Sequence, residues 1–188
     1  MDAGIAIPLR GATLRPWSED DIPSLARVTN DPDIAATLRD GFPSPYTTGD
    51  ARRFIELATG PEPGLMLAIE VEGSVAGGIG IHPLTDVYRK TAEIGYWLAG
   101  PHRGRGIATA AVGALVPLAF ARFAILRLQA GVFSNNPASM RVLEKNGFIR
   151  EAVHQNAIVK NGVVMDEVLY VRFKKGETGD QTGTTRLP

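Results

Sequence analysis

The chain has no cysteine and only three histidines. Without thiols there can be no disulfide frame, thiolate zinc site, iron–sulfur cluster or sulfur nucleophile. His82, His102 and His154 are far apart in sequence, which argues against an imidazole metal site. Excess charge of one sign is also missing. Over 188 residues, 20 Lys and Arg balance 20 Asp and Glu, so the basic footprint of a nucleic-acid-binding surface is not expected. The longest apolar stretch, residues 107–121, is interrupted by Pro117 and falls short of the roughly 20 residues a membrane helix needs. Asp2 stands where a secretory leader would carry basic residues. These absences predict a cytoplasmic protein with no membrane segment. What is present, 44% hydrophobic and 21% charged residues, is the composition of one globular domain large enough to bury a core.

The elements alternate in type. Residues 12–17 read as a strand. Ser18 then looks like a helix cap, with Asp21 three residues on and an apolar stripe at Ile22, Leu25, Ala26 and Val28. A short helix is expected at 33–38 and a longer one at 48–58, with the proline-rich 42–46 stretch irregular between them. Residues 65–71 and 75–81 form a hairpin around Glu72-Gly73, and 91–98 a further strand. A long helix follows at about 104–123, with a kink expected at Pro117, then a strand at 126–132. A helix at 136–146 ends on Gly147, and strands at 148–154 and 163–173 close the fold around Asn161-Gly162. The first nine residues could extend a strand or fray. The pattern describes one α/β domain with a mixed central sheet over residues 1–173, and a polar, disordered tail at 174–188.

The most informative stretch is 91–111, TAEIGYWLAGPHRGRGIATAA, where a strand meets a Gly- and Arg-rich turn that opens into an apolar helix. The first amides of a helix lack internal acceptors, and the helix dipole adds positive potential there. Gly104 and Gly106 let an anion approach the backbone, and Arg103 and Arg105 add charge. A phosphate or pyrophosphate is the natural guest. A plain tight turn with solvated arginines is the competing account, and the order strand, turn, helix favours the anion site. The guest is not a Walker-type triphosphate, because the Gly-Lys-Ser/Thr ending is absent. A dinucleotide fingerprint also fails: position 109 is Thr, and no acidic residue lies between Gly113 and Val142.

Arg103-Gly104-Arg105-Gly106-Ile107-Ala108 resembles the pyrophosphate-binding motif, Arg/Gln-x-x-Gly-x-Gly/Ala, of the GNAT-type N-acetyltransferases. Residues 92–98, AEIGYWL, resemble the strand that holds the pantetheine arm in that family. Asn136-Pro137-Ala138-Ser139 and residues 142–148, VLEKNGF, are similar to the second half of its cofactor site. The wording, with the opening Leu14-Arg15-Pro16-Trp17, resembles the RimJ/RimL branch, the ribosomal-protein N-terminal acetyltransferases. The resemblance implies a GNAT fold (a mixed, mostly antiparallel sheet, splayed between 91–98 and 126–132) and acetyl-CoA as cofactor. It places pyrophosphate on residues 104–108 and pantetheine along Trp97 and Leu98, in the splay. A homodimer is a further implication.

Chemistry narrows the catalytic candidates. A lysine amine, with pKa near 10.4, is charged at neutral pH, whereas a peptide α-amine, near 7.7–8.0, is close to neutral and needs less help from a base. With no cysteine, direct attack of the amine on the thioester is the simplest route. Glu93 shares a strand face with Gly95 and Trp97, and a carboxylate in so apolar a strand is a candidate base; a salt bridge to Arg89, Lys90 or another strand is the structural alternative. Asn136 suits a helix cap, and Ser139 could equally be a solvated helix residue. Many relatives carry a proton-donating tyrosine where this chain has Leu143, and the resemblance implies Ser139, one turn earlier, as the substitute. Tyr96 and Tyr170 rank below it, with core packing the expected role of each; Trp17 and Trp97 are expected to pack, and Trp97 could also line the acceptor cleft. His82 and His154 read as structural or surface residues; His102 could touch the cofactor phosphates but reads as solvent-facing, and Asp166 and Glu167 could touch a cationic acceptor but read as a solvated turn. The acceptor should be read by residues 31–58 and 156–166. The favoured acceptor is a protein or peptide N-terminal α-amine. A small-molecule amine, or a coenzyme A sensor with no turnover, is the alternative.

Overall fold

The computed structural model describes residues 6–61 and 64–176. Its strands are β1 (Ile7–Leu9), β2 (Ala12–Pro16), β3 (Leu65–Val71), β4 (Ser74–Pro83), β5 (Thr91–Leu98), β6 (Arg127–Phe133), β7 (Ile149–Lys160) and β8 (Val163–Phe173). Its α-helices are α1 (Ile22–Thr29), α2 (Pro32–Ala35), α3 (Thr48–Thr59), α4 (Ile107–Arg122) and α5 (Pro137–Lys145). Among the described residues no helix is long and apolar enough to cross a membrane.

Local chemistry sets these elements. Ser18 and Asp21 form a reciprocal capping box, and Pro23 occupies the first turn of α1. Thr47 and Asp50 repeat the device at α3. The β3–β4 turn places Glu72 and Gly73 at φ 50° and 75°, and the β7–β8 turn places Asn161 and Gly162 at 51° and 77°. Two successive positive values belong to the tight turn that matches strand twist.

All eight strands form one sheet, in the order β1-β2-β3-β4-β5-β6-β8-β7. Every neighbouring pair is antiparallel except β5–β6, which is parallel. Alternate residues of β5 go to opposite faces. Ile94 and Leu98 join the core beneath α4 and α5, with Tyr96 packed against its edge. Trp97 faces the second cluster, which carries α1 and α3 with Trp17, Leu25 and Ile55. Helices thus cover both faces, as a central sheet requires.

Several expected boundaries move. Residues 7–9 pair with 12–14 and extend the sheet, while residues 1–5 lie outside the described residues. The long helix begins at Ile107, not near 104, because Gly104 and Gly106 take φ of 74° and 80°, outside the helical region. It runs continuously past Pro117. The helix expected at 33–38 is the short α2, and the strand expected to stop at 154 continues to Lys160, through a register shift between His154 and Ile158. Gly147 closes α5 at φ 74°, as its position suggested. Of the tail expected at 174–188, only 174–176 lie within the described residues.

Candidate active site

The parallel neighbours β5 and β6 stay paired only where Thr91–Glu93 lies opposite Arg127–Gln129. Beyond Glu93 the strands part. A cleft of about 660 Å³ fills the gap, with residues 93–98 on one wall and 130–133 on the other. That is the size of a small-molecule site. The cleft passes through the sheet, so each face contributes a different chemistry.

On the α4–α5 side, the turn leading into α4 forms the mouth. Arg103, Gly104, Gly106, Ile107 and Ala108 line it; Arg105 is exposed and lies outside the lining. Gly106 is the N-cap of α4, so no side chain caps the first amides, and a Cβ on Gly104 or Gly106 would meet nothing within 4 Å. The backbone there is open and its N–H groups face outward from the helix start. Arg103 is more engaged than the motif suggests: its Nε donates to the Leu98 carbonyl at 2.9 Å, and its guanidinium lies 3.6 Å from Asp31 and 3.9 Å from Asp33. It fastens the turn to the end of β5. Further cationic charge comes from Arg141 and Lys145, which line the cleft four residues apart on α5. The i,i+4 spacing puts Arg141 and Lys145 on one face of the helix, a signal present in the sequence.

Deeper on this side, Ser139 Oγ lies 2.8 Å from the Tyr96 hydroxyl, which also donates to the Ser139 carbonyl at 3.1 Å. Both residues line the cleft. Burial pushes the Tyr96 hydroxyl up to about 12, the bond to Ser139 opposing the shift, so it stays protonated at neutral pH. Tyr96, the weaker donor candidate expected mainly to pack, thus lines the cleft beside Ser139. Asn136 caps α5, its Oδ1 accepting from the Ser139 amide at 3.1 Å, and lines the cleft as well. Leu143 is fully buried in the core. Asn146, quoted above within a cofactor motif, instead clamps α5 to α4: its Nδ2 donates to the carbonyls of Thr109 at 3.1 Å and Val142 at 2.8 Å.

On the opposite side stands Glu93. Its partner is neither Arg89 nor Lys90. Arg39, from the segment after α2, donates to it at 3.3 Å, and Gln129 of β6 at 3.4 Å. His82 lies directly across the strand pair from Glu93 and lines the cleft, a placement hidden in sequence because it depends on the β4–β5 register. Partial burial holds its imidazole below the ordinary value and Arg39 adds to this, while Glu93 opposes it. Thr37, Leu38, Arg39, Gly41 and Phe42 complete this mouth.

Other expected candidates lie elsewhere. Tyr170 is buried and donates to Glu144 at 2.7 Å. His154 pairs with Glu167 at 3.0 Å, and Asp166 accepts from the Asn156 amide at 2.8 Å. His102 is half-buried rather than solvent-facing, with a buried Nδ1 that has no partner among the described residues. Trp97 does line the cleft while packing toward the second core cluster; Trp17 is buried edge-on against Phe54.

Residues 12–149, well over half the chain, match the acetyltransferase (GNAT) domain family. The chain belongs to this family. Its cofactor is acetyl-CoA and its activity N-acetyl transfer. YdaF of Bacillus subtilis (strain 168), provisionally named as a ribosomal N-acetyltransferase, is 36% identical over 132 residues, covering 70% of this chain and 69% of YdaF. The ribosomal-protein-serine acetyltransferase of Escherichia coli (strain K12) is 35% identical over 108 residues, 57% of this chain and 60% of that protein. Among solved GNAT structures, MccE, a microcin C7 self-immunity acetyltransferase bound to acetyl-CoA and AMP, superimposes with a TM-score of 0.76 at 26% identity, over 87% of this chain and 93% of MccE. RimL, a ribosomal L7/L12 α-N-protein acetyltransferase in complex with coenzyme A, gives a TM-score of 0.79 over 90% and 98%; at 24% identity it shows the shared fold.

Proposed function

We propose that this enzyme moves the acetyl group of acetyl-CoA directly onto the α-amine of a protein or peptide N-terminus, with Glu93 handling the amine proton and Ser139 the leaving sulfur. The reading rests on one observation: a single cleft runs from the Gly104 and Gly106 turn, through the parted strands, to Glu93 on the far face. A site open at both faces lets two substrates approach from opposite sides.

The residues fit the cofactor. A pyrophosphate suits the uncapped amides of residues 104–108, where two glycines leave the backbone open. Arg141 and Lys145 supply charge from α5, and Arg105 a more distant one. The β5 edge beyond Glu93 faces the cleft with no strand beside it, so Trp97 and Leu98 suit the amide-bearing pantetheine arm, added as a strand would be. Acetyl-CoA supplies the activated acyl group as a thioester.

The chain's own groups supply the proton steps. The Glu93 carboxylate orients the amine and takes its proton, directly or through one water. A donor is needed at the sulfur, and Leu143 cannot serve. Ser139 Oγ can, and the Tyr96 hydroxyl at 2.8 Å restores its proton. Arg39, donating at 3.3 Å, holds Glu93 in place.

The test is calorimetric titration with acetyl-CoA, followed by thiol release against peptides with free N-termini, polyamines, aminoglycosides and amino acids. Tight binding with release driven best by peptides is the expected result. Release driven best by a small amine moves the acceptor class. Binding without release to any amine replaces catalysis with sensing.

A further inference from the structure

Among the described residues, Lys160, at the end of β7, is a buried cation. Its side chain is 9% exposed, yet neither the core nor the proposed proton path uses it. A buried ammonium is unfavourable unless paired. Its Nζ donates to Asp40 Oδ1 at 2.7 Å, across 120 residues of sequence. Asp40 itself is 81% exposed and gains no burial from the pair. The contact therefore does little for the core, and its effect lies in where it holds the chain.

Asp40 adjoins Arg39, and Arg39 is the residue set against Glu93. The segment between α2 and α3 is irregular. Thr37 and Leu38 bond back to α2, and the Phe42 amide bonds to the Arg39 carbonyl at 2.9 Å. Phe42 packs against the second core cluster, and beyond the Thr37 bonds to α2 two side-chain bonds among the described residues tie 37–42 to the sheet: Arg39 to Glu93, and Asp40 to Lys160. The first alone is loose, since the Arg39 side chain is 75% exposed and the distance is 3.3 Å. The second comes from the far end of the β7–β8 hairpin. That hairpin bends through its register shift at 154–158, where Asn156 takes φ 53° and its amide bonds to Asp166. Such a bulge re-aims a strand.

We propose that the Asp40–Lys160 pair is a latch. It closes the hairpin tip onto the 37–42 segment, roofs the acceptor mouth, and fixes Arg39 against Glu93. Asp40 and Lys160 are positioning residues for the acceptor, and this rests on the assignment of the Glu93 side as the acceptor side. The two segments that read the acceptor thereby act as one unit.

The experiment uses the full chain. Lys160→Met keeps the buried stem and leaves only an exposed carboxylate unpaired. It should raise the acceptor KM between about tenfold and about a hundredfold, the range expected when a reacting amine is misplaced, with the KM for acetyl-CoA unchanged. Lys160→Arg and the reversed pair Asp40→Lys with Lys160→Asp should each recover most of the loss. Hydrogen exchange of the 37–42 amides gives a readout independent of turnover: Lys160→Met should speed it about tenfold or more while β5 stays protected. An unchanged acceptor KM, equal changes in both KM values, or unchanged exchange at 37–42 would overturn the latch. If wild type acetylates no amine, the functional reading fails, and exchange alone decides the latch. Should Lys160→Met not fold, Asp40→Asn, at an exposed position, carries the same measurements.

Discussion

In the proposed mechanism Glu93 takes the amine proton and Ser139 serves the leaving sulfur, and single substitutions separate the two jobs. Glu93→Gln keeps the shape and the contact to Gln129 but removes the base. It should lower kcat/KM at least about a hundredfold, with coenzyme A affinity unchanged in calorimetry. Ser139→Ala should lower kcat by more than Tyr96→Phe, because the tyrosine restores a proton that serine delivers; single-turnover rates would show the order. The reverse order would make Tyr96 the direct donor. At the other end of the cleft, Gly106→Glu puts bulk and negative charge at a position with φ 80°, and should abolish coenzyme A binding. Gly106 and Glu93 were legible as residues because each breaks its local pattern: a glycine where a helix starts, a carboxylate in an apolar strand. Arg39 and His82 were not. Their roles come from the β4–β5 register and from a loop folding back over β5, and neither leaves a periodic trace in sequence.

Among the elements, the contact of α4 with α5 sets the width of the cofactor end. Gly113 lies at the crossing, where an added Cβ would stand 2.9 Å from Asn146 Oδ1, and Asn146 donates to carbonyls on both helices. Asn146→Ala removes both bonds. It should cost about 1–2 kcal/mol, seen as a few degrees in Tm. It should also weaken coenzyme A, because Ser139, Arg141 and Lys145 ride on α5. The strand–turn–helix order around α4, the two positive-φ hairpin turns and the glycine stop of α5 were readable, since each follows from short-range chemistry. The extension of β7 to Lys160 was not, because a bulge interrupts the alternation from which a strand is read. Helix α4 starts at the head of its apolar run and later than the expected 104, because glycines at 104 and 106 hold the chain out of the helix.

Taken whole, the proposed mechanism brings a neutral amine to a thioester across a sheet, and pH should report this. An α-amine titrates near 7.7–8.0, so kcat/KM for peptide acceptors should rise with pH and level off above about 8. A lysine acceptor would keep rising toward 10. Composition already excluded an acyl-cysteine route, and the resemblance in the α4 motif pointed to the family. The acceptor was the least readable part, because the residues that face it come from three separate segments joined only in the folded chain.

The parting of β5 from β6 has a mechanical meaning as well. It is a seam. Strands β1 to β5 form one antiparallel block, β6 to β8 another, and their direct rungs end at Glu93 and Gln129. On the proposed binding mode, a cofactor lying along that gap would supply the missing rungs and bridge the two blocks. The ligand would then be a structural strut as much as a reactant, stiffening the molecule when loaded and letting the blocks loosen when it leaves.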